Sequence, residues 1–294
     1  MNAFFEKHKN KFLIIIAAMV VLDFLVWLEI SGVVRAGENL EINFLDVGQG
    51  DGSLVTLPGG VQVMVDGGPT NGRALEELGR ILERGDRYID LVILSHPQLD
   101  HFGGLVDVLR RYEVGVVAWN GLEGTSAAFE DFQEAIRERN IREVVLRAGD
   151  KIYYGENEFA VLSPGFKELR AKDLNDTSVV LELKSKNSRT LFTGDISSAI
   201  ENSLSVGDLD ILKVAHHGSR FSSSIDFLNA LKPEVAVIEV GKNSYGHPTS
   251  RVLDSLENIG TKVFRTDSDG TIRFEIDGEN IRIFKTSQKM TPVR

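Results

Sequence analysis

Ser95-His96-Pro97-Gln98-Leu99-Asp100-His101-Phe102-Gly103-Gly104 lies between an apolar run, Leu91 to Leu94, and an amphipathic stretch, Gly104 to Tyr112. The run reads as a short buried strand and the stretch as a helix, so the segment sits at a strand end, where α/β scaffolds place their ligands. Within six residues it offers two imidazoles, His96 and His101, and one carboxylate, Asp100. Imidazole nitrogen and carboxylate oxygen are the ligand types that suit zinc or manganese. Taken alone, the segment reads equally as a helix N-cap aspartate beside two surface histidines, and its company decides.

Six histidines occur in the chain, and five of them fall in short clusters flanked by glycine. Thr193-Gly194-Asp195 follows the strand-like run Thr190 to Phe192. A carboxylate at such a strand end can bridge two cations, one on each oxygen, although alone it reads as a turn aspartate. Lys213-Val214-Ala215-His216-His217-Gly218-Ser219 lies on and just beyond the apolar strand Ile211 to Ala215. Adjacent histidines on an extended segment point to opposite faces. One of His216 and His217 is therefore expected to face the site, and the other to pack or to orient a ligand from behind. Lys213 is a candidate support for an anionic substrate, with an exposed strand-end lysine as the alternative. Asn243-Ser244-Tyr245-Gly246-His247-Pro248 follows the run Val235 to Val240. His247 there is a candidate ligand or a proton donor to a leaving group. Asn243 and Tyr245 are candidate substrate contacts at the rim, with plain turn formation as the alternative. Four clusters, each at the C-terminal end of a predicted strand, form a joint signal more specific than any member.

The rest of the chain alternates short apolar runs with amphipathic stretches. Leu40 to Val47, Ser53 to Leu57 and Val61 to Val65 read as strands, separated by Gly48, Gly50 and Gly52 and by Pro58-Gly59-Gly60. Arg73 to Arg84 and Ala127 to Glu138 read as helices, and Val114 to Trp119, Glu143 to Leu146, Glu158 to Leu162 and Ser178 to Leu183 as strands. In the last third, helices at Ile225 to Leu231 and Val252 to Ile259 follow the strands that end at the histidine clusters. Lys262 to Phe264, Thr271 to Ile276 and Ile281 to Phe284 close the chain as strands. Two strand sets of similar composition with helices between them suit two mixed sheets packed face to face with helices outside. Periodicity alone leaves a single open α/β sheet as the rival, and the motifs decide against it.

Composition bounds the chemistry. The chain has 294 residues, 42% hydrophobic and 26% charged, the balance of a folded protein long enough to bury a full core. It has no cysteine, which excludes disulfides and thiolate metal ligands. The formal net charge is -10 with no basic stripe, which disfavours tight non-specific nucleic-acid binding. Metal ions can supply the missing positive charge, so cleavage of DNA is not excluded.

The N-terminal 35 residues differ from the rest. Lys7, Lys9 and Lys11 precede an apolar run from Phe12 to Leu22, which resumes from Phe24 to Leu28. Phe12 to Ile30 spans 19 residues, close to the ~20 that a membrane-crossing helix needs. Asp23 lies past the midpoint and Glu29 near the far end, where the cost of a charge falls. Residues 1–36 are expected to be a single transmembrane helix and linker, and residues 37–294 the domain that carries the histidine clusters. A cleaved signal peptide, with secretion, and a helix lying on the membrane are the alternatives, though Val33-Val34-Arg35-Ala36 makes a poor cleavage site. Lysines before the span and a lone Arg35 after it favour the N-terminus inside, placing the domain outside the cytoplasm.

In order, Asp46-Val47-Gly48-Gln49-Gly50-Asp51, Asp66-Gly67-Gly68 and the His96 to His101 motif resemble the metallo-β-lactamase superfamily. Through Asn175-Asp176-Thr177-Ser178, Thr193-Gly194-Asp195, His216-His217-Gly218-Ser219 and Tyr245-Gly246-His247-Pro248, the chain is similar to one branch, the soluble domain of the ComEC/Rec2 competence proteins. The likeness runs from about Leu40 to Phe284. It implies an α+β fold, an αββα sandwich with a dinuclear site between the sheets, and hydrolysis of an ester or phosphodiester. It maps His96, Asp100, His101, Asp195 and one of His216 or His217 onto metal positions, and His247 onto a later histidine lining the site. Two divalent ions, zinc or manganese, are the implied cofactors, with Asp195 bridging them and Asp100 helping to orient the nucleophile. Gln98 departs from the pattern: it stands where a second histidine or an aspartate is usual, so one metal site is expected to be weak. One apolar span stands where competence proteins carry a multi-span channel, so this chain alone is expected to form no DNA-conducting pore. The resulting expectation is a nuclease or phosphodiesterase related to competence and DNA uptake, acting on single-stranded DNA. A hydrolase of small or cell-envelope esters (phosphorylcholine, nucleotide or lactam type) and a non-catalytic binding module are the rivals.

Overall fold

The computed structural model describes residues 8, 14–27, 37, 39–186, 188–278 and 280–286. The chain divides into two compact units, Met1–Asn39 and Leu40–Arg294. In the first, residues 14–27 are helical and their apolar side chains are exposed. Fourteen helical residues rise about 21 Å, against ~30 Å of bilayer hydrocarbon. Among the described residues no helix is long and apolar enough to cross a membrane. Both ends of the expected span, Phe12–Leu13 and Leu28–Ile30, lie outside the described residues.

The second unit begins with three antiparallel strands, β1 (Leu40–Phe44), β2 (Ser53–Thr56) and β3 (Gln62–Val65). Helices α1 (Arg73–Ile81), α2 (Leu99–Arg111) and α3 (Ala127–Glu138) then alternate with β4 (Tyr88–Leu94), β5 (Glu113–Trp119) and β6 (Arg142–Val145), which add in parallel. The same plan repeats in a second sheet. There β7 (Lys151–Tyr154), β8 (Asn157–Ser163), β9 (Val180–Ser185) and β10 (Ser188–Phe192) run antiparallel. Three strands follow in parallel, β11 (Ile211–Lys213), β12 (Val235–Ile238) and β13 (Lys262–Arg265), with α4 (Ile225–Leu231) and α5 (Ser250–Asn258) between them. Two last strands, β14 (Ile272–Ile276) and β15 (Ile281–Lys285), return to the first sheet, with Leu40 opposite Ile276 and Phe44 opposite Ile272. The strand orders are β15-β14-β1-β2-β3-β4-β5-β6 and β13-β12-β11-β10-β9-β8-β7.

Strand alternation builds the layers. Val63 and Val65 of β3 face the second sheet while Met64 faces the helices. In β12, Val235 and Val237 face inward and Ala236 and Ile238 outward. Both faces are apolar because both are covered, as parallel strands under helices require. The outer layer of the first sheet is pinned by Phe102 of α2, whose ring meets Phe129 of α3 edge-on at 5.2 Å. The architecture is the expected αββα sandwich of two mixed sheets.

Two differences from the sequence reading matter to the site. Helix α2 begins at Leu99, not Gly104, so Asp100 and His101 stand in its first turn. The pair Gly103-Gly104 is a close-packing device inside the helix. A Cβ at Gly104 would come within 2.0 Å of the Gly67 carbonyl oxygen. The segment after β11 is also not extended to Ala215: it leaves the strand at Lys213 and turns tightly through His216 and His217.

Candidate metal centre

The loops at the C-terminal ends of both sheets meet at one edge of the sandwich. From the first sheet come Asp51 between β1 and β2, Asp66 after β3, His96 after β4, and Asp100 and His101 opening α2. From the second come Asp195 after β10, Lys213 ending β11, His216 and His217 beyond it, and Glu239 after β12. The structure therefore brings together every histidine and aspartate that the sequence clusters single out.

Two imidazoles are wired as ligands. The backbone N–H and hydroxyl of Ser95 donate to Asp66 at 2.8 and 2.6 Å. So anchored, Asp66 stands 2.9 Å from Nδ1 of His101 and holds the proton on that nitrogen. Nε2 of His101 is left without a hydrogen-bond partner, 3.3 Å from Oδ2 of Asp195 and 4.0 Å from Oδ1 of Asp100. In His217, Nδ1 donates to the Glu239 carbonyl at 2.8 Å, and Nε2 lies 3.4 Å from Oδ2 of Asp195 and 3.5 Å from Oδ2 of Asp100. Both Nε2 atoms are buried without a hydrogen-bond partner, as are Oδ1 of Asp195 and Oδ1 of Asp51. Such an atom costs about 1–3 kcal/mol when nothing satisfies it. Convergence of several in one place is what a cation site requires, and the donor set of two imidazoles and two carboxylates fits a divalent ion.

The electrostatics agree. Burial pulls the two imidazoles down, but Asp195 first, then Asp66 and Asp51, lift His101 well above its usual range. Burial likewise lowers His217, and Asp195 and Asp51 outweigh it and raise that ring to about 10. Burial would raise Asp195, yet His217 and His101 hold it well below the carboxylate range. Asp100, the most open of the four carboxylates, is also lowered against burial, by the hydrogen bond to His217 and then the charge of His101. A field that favours imidazolium this strongly is one that attracts a dication.

His216 and His217 do not divide between two faces. Both adopt left-handed backbone angles, φ 52° and 53°, within a tight turn. That conformation costs a non-glycine residue of order 1–3 kcal/mol and is tolerated best by Asn, Asp and His. Its effect is to aim both rings at one carboxylate oxygen, since Nε2 of His216 lies 3.9 Å from Oδ2 of Asp195. From His216 a row of rings leads outward: His247 at 5.5 Å, then Tyr245 at 5.8 Å, which is 73% exposed. Burial and then the charges of His216 and His217 push His247 down to about 4, so it is a neutral imidazole at pH 7.

Asn243 and Lys213 take places other than the expected ones. Asn243 spends its whole amide on the loop: Nδ2 donates to the carbonyls of Gly241 and His247, and Oδ1 accepts from the N–H groups of Tyr245 and His247. It shapes the loop that carries Tyr245 and His247. Lys213 is not an exposed rim lysine or an open substrate contact. Strand alternation turns it to the same inner face as Ile211, where it is 2% exposed and donates to Asp51 and, at 3.0 Å, to the Gly194 carbonyl. His96 has both nitrogens engaged, Nδ1 near the Ser95 and Ser178 hydroxyls at 3.0 and 3.2 Å and Nε2 at 3.1 Å from Oδ1 of Asn175. Burial and then the His101 charge lower it to about 3. Gln98 is half-buried at the N-cap of α2.

Several triads have ligand atoms within 4.8 Å of one another, including His96-His101-Asp195, Asp51-Asp66-His101 and Asp51-Asp195-His217. The triad Asp100-His101-His217, extended by Asp195, brings together both unpartnered Nε2 atoms, whereas Oδ2 of Asp51 is paired with Lys213 and Asp66 with Ser95. Sequence reasoning gave no site role to Asp51, Asp66 or Glu239. The available signals were an aspartate before two glycines at a strand end, and a lone acid inside the apolar run Val235 to Val240.

Residues 45–241 match the family model described as the Metallo-beta-lactamase superfamily. ComE operon protein 3 of Bacillus subtilis (strain 168) is 30% identical over 255 residues, covering 80% of this chain and 33% of that protein. Recombination protein 2 of Haemophilus influenzae is 28% identical over 257 residues, covering 86% of this chain and 31% of that protein. The chain thus spans about a third of the length of these curated relatives. Among solved structures, the metallo-beta-lactamase fold protein YhfI from Bacillus subtilis shares the fold, with a TM-score of 0.57 at 12% identity over 81% of this chain and 99% of that one.

Proposed function

We propose a function from one premise: the chain belongs to the metallo-beta-lactamase superfamily. On that footing it is a metal-dependent hydrolase, and the bond it cleaves is a phosphodiester, with single-stranded DNA as the substrate. The observation that carries the hydrolase reading is the convergence of the unpartnered Nε2 atoms of His101 and His217 on Asp100 and Asp195.

These four residues would hold the cation. The chemistry such a cation supplies when bound is Lewis acidity, which brings the pKa of water toward ~7 and offsets charge on a phosphoryl oxygen. The protein's own part is orientation. Asp66 and the Glu239 carbonyl fix the tautomers of His101 and His217, so neither ring has to turn as substrate arrives. Asp100 is the carboxylate nearest solvent and is held ionised, so it orients the attacking water rather than storing its proton. His247, neutral and beside His216, is the histidine assigned to the leaving-group side in this reading.

The substrate reading is supported by the competence relatives and by the row His216, His247, Tyr245. Single-stranded nucleic acid binds proteins largely by stacking bases on such rings, at about 1–3 kcal/mol per base. A net charge of -10 argues for weak, metal-dependent binding rather than a tight electrostatic grip. The same charge favours the second reading, hydrolysis of small or cell-envelope esters. Membrane attachment through the exposed apolar helix at residues 14–27, with the hydrolase unit outside the cytoplasm, belongs to the proposal.

The deciding experiment supplies manganese or zinc to the chelator-stripped protein and follows two substrates, single-stranded DNA and bis-p-nitrophenyl phosphate. Cleavage of both supports a phosphodiesterase acting on DNA. Cleavage of the small diester alone moves the assignment to small esters. Tight metal binding with neither cleaved leaves a binding module of the same fold.

A further inference from the structure

Lys213 is a buried ammonium among the carboxylates of the centre. Its Nζ donates to Asp51 and to the Gly194 carbonyl and stands 3.7 Å from Oδ1 of Asp195. Asp195 is therefore divided between two kinds of partner. Its Oδ2 faces His101, His217 and His216 at 3.3, 3.4 and 3.9 Å, whereas its Oδ1 faces the lysine. A carboxylate that bridges two dications offers one oxygen to each. Here the second oxygen already looks at an organic cation. His96, the imidazole expected to hold a second dication, has both nitrogens committed to Ser95, Ser178 and Asn175.

We propose that the Lys213 ammonium stands in for one of the two dications, so that the protein binds a single tight divalent ion in the cradle of His101, His217, Asp100 and Asp195. The inference rests on the metal-dependent reading above and adds to it the number of ions and the residue that sets it. Charge placement supports it. Lys213 is 2% exposed, pairs with Asp51 and stands 3.7 Å from Oδ1 of Asp195, so a second dication on that oxygen would sit against a buried ammonium, a like-charge contact that a buried site tolerates poorly.

The test is metal stoichiometry, which does not depend on turnover. The full chain is stripped with chelator and titrated calorimetrically with manganese alone, and bound metal is counted by elemental analysis. Wild type is expected to bind one tight equivalent and Lys213→Gln a second. Lys213→Arg, which keeps the charge, and Gln98→His, which adds an imidazole at the N-cap of α2, are both expected to stay at one. Two tight equivalents in wild type overturn the inference and leave the hydrolase reading standing. No tight equivalent overturns both. A single equivalent in folded Lys213→Gln shows that the lysine does not set the number. Losing a buried ion-pair partner is strongly destabilising, so Lys213→Gln can fail to fold. The inference then stands or falls on wild type, Lys213→Arg and Gln98→His, where a second tight equivalent in any of the three overturns it.

Discussion

His101 and His217 are backed differently, one by a carboxylate and one by a backbone carbonyl, and the difference has measurable consequences. Asp66→Asn keeps the shape behind His101 but removes the charge that strengthens it as a donor. Metal affinity is expected to fall about 10–100-fold, the usual cost of losing a supporting carboxylate. Unchanged affinity by titration would show that Asp66 merely braces Ser95. Both imidazoles are raised in the metal-free protein, His217 to about 10, so they carry protons at pH 7 that a dication must displace. Manganese binding is thus expected to release protons and to tighten as pH rises from neutrality. Calorimetry in two buffers of different ionisation enthalpy reads this directly, and identical heats would contradict it. Stability of the metal-free protein has the matching sign. The contribution of His217 is complete below its ordinary 6.5 and is lost as pH rises through about 10, so the stripped protein should melt lower at pH 9 than at pH 6.5. The residues of the candidate centre were legible in the sequence because a strand end followed by His or Asp is a local pattern. Lys213 and Asn243 were not, because what they do depends on Asp51 and on a loop that only the tertiary structure assembles.

Helix α2 delivers both Asp100 and His101, and its seat is set by glycine. With the Gly67 carbonyl oxygen 2.0 Å from where a Cβ of Gly104 would sit, and the Thr70 N–H 2.6 Å from one at Gly103, the helix can approach only bare backbone. Gly104→Ala is expected to push α2 outward, at about 1–3 kcal/mol of overpacking. At about 2–4 °C per kcal/mol for a unit of this size, the melting temperature should drop by several degrees and metal affinity should fall with it. Loss of stability with affinity intact would mean that α2 flexes without moving its ligands. The same glycines hid the start of α2 from the sequence, since a Gly-Gly pair normally ends a helix. Strand β7 was missed for the opposite reason. As an edge strand with mostly exposed residues, Lys151–Tyr154, it shows no apolar alternation to read. Helices α3 and α4, which bury regular apolar faces, were legible to the residue, and the interior strands to within three residues at an end.

At the scale of the molecule, Asp100 and His101 come from the first sheet and Asp195 and His217 from the second, so one bound ion ties the two halves of the sandwich together. Manganese at 100 times its dissociation constant should stabilise the fold by about 2.7 kcal/mol, and chelator should remove that gain. A melting temperature indifferent to both would mean that the residues do not meet around a cation. The unit from Leu40 onward has its own three-part core, so removing residues 1–36 should leave a folded, metal-binding protein. If that protein still sediments with membranes, residues 14–27 are not the attachment. Fold class was readable because each sheet repeats one plan, antiparallel strands followed by parallel ones. The return of the chain to the first sheet was not, because no local signal in β14 points to β1.

That return has a consequence in time. Strand β1 is among the first parts of the hydrolase unit to leave the ribosome, yet β14, its partner, is among the last, and the N–H of Asp46 donates to the Thr271 hydroxyl at 2.9 Å only then. Throughout synthesis the first sheet carries a bare edge, the kind of surface that recruits other chains. The loop from Asp46 to Asp51 gains its Thr271 anchor only when the C-terminal hairpin docks, so a nascent chain should acquire tight metal binding late and nearly all at once. Ribosome-bound chains stalled before Ile272 and after Lys285 would reveal that timing, the former sticky and metal-poor, the latter sealed.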